Sequence, residues 1–178
     1  MELKIFNKKN NSQQDGELLS PHHQGDAGYD IIASSEPKIV GEIYQGYLYK
    51  SVSYIEYDTN ISIKPSKDSY EDFEFFSLLF PRSSISKYNL SLCNSVGVID
   101  SGYSDTIKIR FNYLPQPENY IVFDQSHLLL GVDQSKIYQK GDKISQLIFC
   151  EHIHPKIIAG IELESDGRGT GGFGSTGL

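Results

Sequence analysis

The 178-residue chain has no tryptophan, one methionine and two cysteines. Cys93 and Cys150 are too few for a disulfide framework, and no Cys-x-x-Cys pair is present to start a zinc knuckle. Both sit among apolar neighbours and read as small buried thiols. An excess of basic charge is also missing. Lys and Arg total 16 against 23 Asp and Glu, a formal net charge of −7. The broad cationic surface that drives non-specific duplex binding is therefore absent, and nucleic acid is not an expected partner. A local anion site stays open, because backbone amides and a few arginines hold phosphate on an acidic protein. No apolar run approaches the roughly 18 residues of a membrane-spanning helix. The stretch from Met1 to Lys9 lacks the apolar core of a signal peptide. These absences predict a soluble, intracellular protein of cytoplasm or nucleus, with no membrane partner.

What the chain does carry is 12 Tyr, 9 Phe and a hydrophobic share of 38%. Tyr and Phe favour strands. Ile61 and Ile63 alternate with polar residues, as do Ile107, Ile109 and Phe111, and Phe73, Phe75, Leu78 and Phe80 bracket another apolar stretch. A period of two is the strand signal. Turn clusters at Ser66-Lys67-Asp68, Asp100-Ser101-Gly102, Pro115-Gln116-Pro117 and Lys140-Gly141-Asp142 interrupt it, a spacing that predicts an all-β barrel or sandwich. The one helix expected is short, near Ser83–Tyr88. Residues 1–24 read as a polar leader, 25–166 as the β domain, and 167–178 as a flexible Gly-rich arm.

Two stretches look like additions to the domain, near 41–57 and 113–139. The first holds Tyr44, Tyr47, Tyr49, Tyr54 and Tyr57. A tyrosine stripe can stack nucleic-acid bases, but that use needs interleaved basic residues, and only Lys50 lies inside it. An extra hairpin packing on the domain or on a partner is the expectation. His22-His23 and His152-x-His154 invite a metal, yet no third ligand type is evident, so they read as surface histidines.

Gly169-Thr170-Gly171-Gly172-Phe173-Gly174 fits the dinucleotide pattern G-x-G-x-x-G, but the chain ends four residues later and no helix can follow, so that reading fails. What remains is a run of approachable backbone amides with Arg168, Phe173, Ser175 and Thr176 beside it, suited to hold an anion and cover a base. Pro81-Arg82-Ser83-Ser84 offers a guanidinium and hydroxyls after an apolar strand, an anion site by type and equally a helix cap. Asp100 in Gly97-Val98-Ile99-Asp100-Ser101-Gly102-Tyr103 reads by itself as a hairpin turn. Gln146 in Gly141–Leu147 stands among apolar residues and needs a partner there.

In order, Ala27–Ile31, Pro81–Ser84, Gly97–Tyr103, Gly141–Leu147 and Arg168–Gly177 resemble the five motifs of the trimeric dUTP diphosphatase (dUTPase) family. The resemblance covers Gly25 to Leu178, the two additions excepted. It implies a jelly-roll-like β-barrel, assembled as a homotrimer with sites at subunit interfaces and a C-terminal arm closing each site. The implied reaction is hydrolysis of dUTP to dUMP and pyrophosphate with Mg²⁺ held by the triphosphate. That reaction keeps uracil out of DNA and supplies dUMP for thymidylate synthesis. Asp100 matches the carboxylate that activates water, and Tyr103 the aromatic that packs on deoxyribose. Asn94, with Gly97 and Ile99 of the hairpin, matches the groups that read uracil. Arg82, Ser83 and Gln146 match phosphate ligands, Ser84 beside them is a further expected substrate contact, and Asp30 matches the acid that approaches the metal through water. Arg168, Gly174, Ser175 and Thr176 would hold the γ-phosphate, with Phe173 over the uracil. The chain departs from the family at Ser84, where Gly is common, and at Ser104-Asp105, where Arg-Gly often follows the aromatic.

Two rivals share the fold. A dCTP deaminase needs a glutamate on the strand after the third-motif aromatic. Arg110 stands there instead, and that family lacks a tail like Gly171–Leu178. A catalytically weak, dUTPase-like binding or regulatory protein would use the Tyr-rich addition as its partner surface. The key side chains of all five motifs argue against it.

Overall fold

The computed structural model describes residues 3–7, 18–19, 23–65, 75–123, 128–153 and 155–160. Among them run thirteen strands: β1 (Leu3–Asn7), β2 (Leu18–Leu19), β3 (Tyr29–Ile32), β4 (Lys38–Gln45), β5 (Leu48–Asp58), β6 (Ile61–Pro65), β7 (Phe75–Pro81), β8 (Leu90–Leu92), β9 (Gly97–Ile99), β10 (Lys108–Tyr113), β11 (Tyr120–Val122), β12 (Leu128–Gly131) and β13 (Lys143–Glu151). Short 3-10 helices cover Ser83–Lys87, Pro117–Asn119 and Gln134–Lys136. The expected short helix is the first of these. No helix among the described residues is long and apolar enough to cross a membrane.

All recorded pairings are antiparallel. One sheet has the order β2-β3-β13-β7-β9, and a second runs β11-β12-β5-β10-β8 with β4 also on β5. β1 pairs with β6. Residues from both large sheets meet in one core. Ile31, Leu79 and Leu147 come from the first, Ile55, Tyr57, Ile109 and Phe111 from the second. The alternation in sequence decides which side chains enter. In β10, Ile109, Phe111 and Tyr113 are buried while Lys108, Arg110 and Asn112 are exposed. Aromatic rings then fix the interior. Tyr57 lies 5.8 Å edge-on from Phe111, and Phe111 5.5 Å from Tyr138. The Tyr57 hydroxyl donates to the Tyr138 carbonyl at 2.9 Å. Burial pushes the Tyr57 hydroxyl pKa far up, so it stays a donor.

The two additions are hairpins, and they pair with one another. β4 and β5 turn at Gly46-Tyr47, with Gly46 at φ 58°. β11 and β12 form the second hairpin, and Leu130 of β12 sits opposite Tyr49 of β5. Tyr44 meets Phe123 edge-on at 5.2 Å. The tyrosine stripe is divided between faces. Tyr49 and Tyr57 are buried, whereas Tyr54 lies outside under the Arg110 guanidinium, 4.4 Å from the ring centre. It therefore offers no continuous stacking platform.

That outer face also holds Glu56, buried under Arg110, whose Nε and terminal nitrogen both reach its Oε2 at 2.8 Å. Burial alone would raise the Glu56 pKa. The hydrogen bond and charge of Arg110, with Lys38 and Lys108, outweigh it and hold the carboxyl below its usual value.

Two readings of the sequence need adjustment. Cys93 is exposed and Cys150 only half-buried, against the expectation of buried thiols. Cys93 follows β8 into a turn, so its Leu92 neighbour takes the inward position and its own Sγ reaches out to Asn112 Oδ1 at 3.3 Å. Within the stretch read as a leader, Leu3–Asn7 pairs with β6 and Leu18–Leu19 with β3.

Gly41 shows how closely β4 and β5 approach at a register shift. A β-carbon there would collide with the Ser51 carbonyl oxygen and stand 2.9 Å from Val52 Cα. Backbone cannot swing aside as a side-chain tip can. Gly41→Ala is expected to destabilise the fold by about 1–3 kcal/mol. Urea denaturation checks this, and an unchanged midpoint would contradict the close approach.

Candidate functional site

The first cluster of site residues is built by three neighbouring strands. Asp30 of β3 sits opposite Gln146 of β13, and Gln146 sits opposite Phe80 of β7. Arg82 follows directly on β7 in extended conformation, φ −79° and ψ 154°, before the 3-10 helix. Ile31 and Ile144 are buried beneath, so the polar side chains face outward. Arg82 Nε lies 2.8 Å from Asp30 Oδ1, and Lys143 Nζ 3.1 Å from Asp30 Oδ2. Gln146 finds the partner its burial requires, donating from Nε2 to the Pro81 carbonyl at 3.3 Å. Its amide lies across Gly28, where any β-carbon would collide with the Gln146 side-chain oxygen.

Ser83 and Ser84 open the 3-10 helix beside this cluster. Ser83 is exposed and its carbonyl accepts from Ser86 Oγ at 3.1 Å. Ser84 is half-buried over the Tyr138 hydroxyl, which is buried without a hydrogen-bond partner. Burial pushes that hydroxyl up to about 12, countered in part by Ser84 and by the Arg82 charge.

A second cluster surrounds the β9 turn. Asp100 is exposed, and its carbonyl accepts from Tyr103 N at 3.0 Å, closing the turn. Its carboxylate makes no hydrogen bond or ion pair to another described residue. The Tyr103 ring is exposed with its hydroxyl on the Thr106 carbonyl at 3.2 Å, and Asp105 Oδ1 accepts from Thr106 N at 2.8 Å. The departure at Asp105 is therefore absorbed by its own loop. Asn94 lies at the other end of β9. A β-carbon at Gly97 would stand 3.3 Å from Asn94 Nδ2 and 3.1 Å from Leu79 Cβ. Ile99 is half-buried.

Within one chain, Arg82 and Asp100 stand toward opposite ends of β7. Ile99 pairs with Ser77 and Gly97 with Leu79, so β9 runs against β7. Continuing the register puts Asp100 beside Phe76, six residues before Arg82. At about 3.3 Å per residue this is roughly 20 Å along the sheet. Side chains stand perpendicular to their strands and do not shorten that distance. Arg168, Phe173, Gly174, Ser175 and Thr176 lie outside the described residues, as do His22 and His154. No group of three or more His, Cys, Asp or Glu side chains suited to a metal occurs among the described residues.

One basic residue of this site escaped the sequence reading. Lys143 precedes Gln146 by three, and an odd spacing on a regular strand points to opposite faces. A register shift between Lys143 and Ser145 inserts one extra residue and returns both to the side of Asp30.

A curled all-β fold, with Arg82 and Lys143 grouped on Asp30 at one end of strands β3, β13 and β7, defines the class: an all-β domain built of curled antiparallel sheets. The comparisons with known proteins narrow it. No family model matches the chain. The deoxyuridine 5′-triphosphate nucleotidohydrolase of Paramecium bursaria Chlorella virus 1 is 32% identical over 156 residues, covering 87% of this chain and 86% of the relative. That of Clostridium acetobutylicum is 30% identical over 158 residues, covering 88% and 86%. Among solved structures, the Staphylococcus bacteriophage 80alpha dUTPase with dUpNHpp superposes with a TM-score of 0.65 at 23% identity over 99% of both chains. A mutant dUTPase of phage phi11 of S. aureus, described with a structural Mg(II) ion, gives 0.59 at 20% identity, covering 93% of this chain and 100% of that one. The structural likenesses show the jelly-roll-like fold. With relatives this similar across most of its length, the chain belongs to the deoxyuridine 5′-triphosphate nucleotidohydrolase (dUTPase) family.

Two glycines of the site are expected to respond differently to a methyl group. Gly28→Ala meets only the flexible end of Gln146. It should cost less than about 1 kcal/mol while driving the amide off the Pro81 carbonyl. Gly97→Ala meets Leu79 Cβ in the core and should cost about 1–3 kcal/mol. Denaturation curves and a crystal structure of Gly28→Ala check both, and equal costs would contradict the packing described.

Proposed function

We propose that this chain hydrolyses dUTP to dUMP and pyrophosphate at sites shared between subunits of a homotrimer, with Asp100 as general base. The observation that carries the proposal is the separation of Arg82 from Asp100 by the length of β7. Phosphate ligands at Arg82 and a base at Asp100 must lie within a few ångströms of one triphosphate. One chain cannot supply both to the same substrate, and a closed ring of three can.

In such a site Arg82, Ser83, Ser84 and Gln146 of one subunit take the phosphates. Arg82 uses Nε on Asp30, which leaves its terminal nitrogens for a bidentate grip. The hairpin of a second subunit brings Asp100 to the α-phosphorus. Asp100 accepts a proton from water, and the water oxygen bonds to the α-phosphorus. The bond from that phosphorus to the bridging oxygen breaks, and pyrophosphate leaves. Tyr103 packs on the deoxyribose, and Asn94 with the backbone at Gly97 and Ile99 reads the uracil edge. The arm closes the site with Arg168, Gly174, Ser175 and Thr176 on the γ-phosphate and Phe173 over the base, excluding water.

Mg²⁺ fits this donor set as an ion that arrives on the triphosphate. Mg²⁺ keeps several waters and needs only one or two carboxylates. Asp30 has both oxygens on cations, yet each oxygen keeps a lone pair for a metal-bound water. When bound, the ion supplies neutralisation of phosphate charge. Domain limits at residues 24 and 167 and a location in cytoplasm or nucleus belong to the same proposal.

The experiment incubates the protein with each dNTP and Mg²⁺ and scores pyrophosphate, nucleotide product and ammonia. Pyrophosphate and dUMP from dUTP alone support the reading, and ammonia from dCTP would replace it with deamination. Asp100→Asn should bind dUpNHpp like wild type and lose on the order of 10²–10⁴ in kcat. Retention of more than about half of kcat would remove Asp100 as the base.

A further inference from the structure

Asp30 is shared between two cations from different strands. Arg82 Nε holds Oδ1 at 2.8 Å and Lys143 Nζ holds Oδ2 at 3.1 Å. A carboxylate with one cation can rotate, offering either oxygen or leaving for solvent. A second cation on the opposite oxygen removes that freedom, so Oδ1 stays aimed at Arg82. The Arg82 terminal nitrogens make no hydrogen bond or ion pair to another described residue. Among the described residues, the guanidinium is thus gripped through Nε alone. The backbone is bent to allow this. The register shift between Lys143 and Ser145 places Lys143 on the Asp30 side, which an uninterrupted strand would not do. Lys143 is 43% exposed, so burial does not account for its position.

We propose that Lys143 is a positioning residue for triphosphate binding, acting through Asp30 to hold the Arg82 guanidinium in its gripping orientation. It touches no phosphate itself in this scheme. The inference rests on the assignment of Arg82 as a phosphate ligand above and deepens it. Removing Lys143 loosens Asp30, and Arg82 must then be ordered by the ligand at the ligand's expense. The loss falls equally on ground state and transition state, so it appears in KM and not in kcat.

The test compares Lys143→Met, Lys143→Arg, Asp30→Asn and the double variant Asp30→Asn with Lys143→Met, using dUTP turnover. Lys143→Gln serves in place of Lys143→Met should the latter fail to fold. Expected for Lys143→Met is a rise of about three- to fivefold in KM with kcat within about twofold, since partly exposed ion pairs have modest worth. Lys143→Arg should restore KM to within about twofold. In the Asp30→Asn background Lys143→Met should add nothing. An unchanged KM in Lys143→Met overturns the proposal. So does a full additional effect in the Asp30→Asn background, which would mean direct attraction of the anion. Equal impairment of Lys143→Arg and Lys143→Met with lowered melting temperature would mean a merely structural role, and also overturns it. Calorimetric binding of inorganic triphosphate with Mg²⁺ gives the same comparison without uracil or turnover. If that binding follows the expected pattern while wild type leaves dUTP intact, the substrate assignment fails and the positioning role stands.

Discussion

Strand β7 is hydrogen-bonded along both edges, to β13 on one side and β9 on the other. Antiparallel pairing on both edges leaves no freedom of register, because a slip of one residue would turn Phe75, Ser77 and Leu79 out of the core. The positions of the site residues follow from that constraint. Gln146 and Asp30 are lined up with the end of β7 that releases Arg82. Asp100 is lined up with the end where β7 begins. A strand of seven residues therefore runs between the end that releases Arg82 and the end beside Asp100.

The electrostatics of the cationic end are arranged around a single acid. Asp30 neutralises part of the charge that Arg82 and Lys143 would otherwise bring together, and it fixes their geometry. On the other sheet Glu56 does the same for Arg110 and Lys38. The difference is access. Glu56 is 8% exposed, and its guanidinium partner is turned onto the Tyr54 ring, a structural use of the ion pair. Asp30 is 21% exposed beside an arginine whose terminal nitrogens meet no hydrogen-bond or ion-pair partner among the other described residues. The same kind of pairing is sealed in one sheet and partly exposed in the other.

Much of this was legible in the sequence, and the failures have physical reasons. The alternation in Ile107–Phe111 marked a strand because one face is buried, and that in Ile61–Ile63 marked one although Ser62 between them is buried too. Gly28 and Gln146 belong to two motifs whose contact the structure shows, with one glycine making room for one amide. The pairing of the two additions was not legible, since a strand partner more than 70 residues away leaves no local mark. Lys143 was missed because a bulge reverses the phase on which any reading of faces depends. Cys93 was misread because apolar neighbours in sequence say nothing of a turn that ends the alternation at Leu92. Leu18–Leu19 joins a sheet through backbone pairing, which residue type in a polar stretch does not announce.

The central claim is that Arg82 and Asp100 of one working site come from different copies of the chain. Two variants, Arg82→Ala and Asp100→Asn, are each expected to be nearly inactive when refolded alone. Mixed one to one and refolded together, a site needs an intact Arg82 from one subunit and an intact Asp100 from its neighbour. Each requirement is met with a probability of about one half, so roughly a quarter of wild-type dUTP hydrolysis should return under independent assortment in a closed ring. Native mass spectrometry establishes that the trimers have mixed. Recovery near that fraction is the result this account predicts. Activity no higher than that of the separate variants, in trimers shown to contain both chains, would mean that each site is built within one chain and would contradict it.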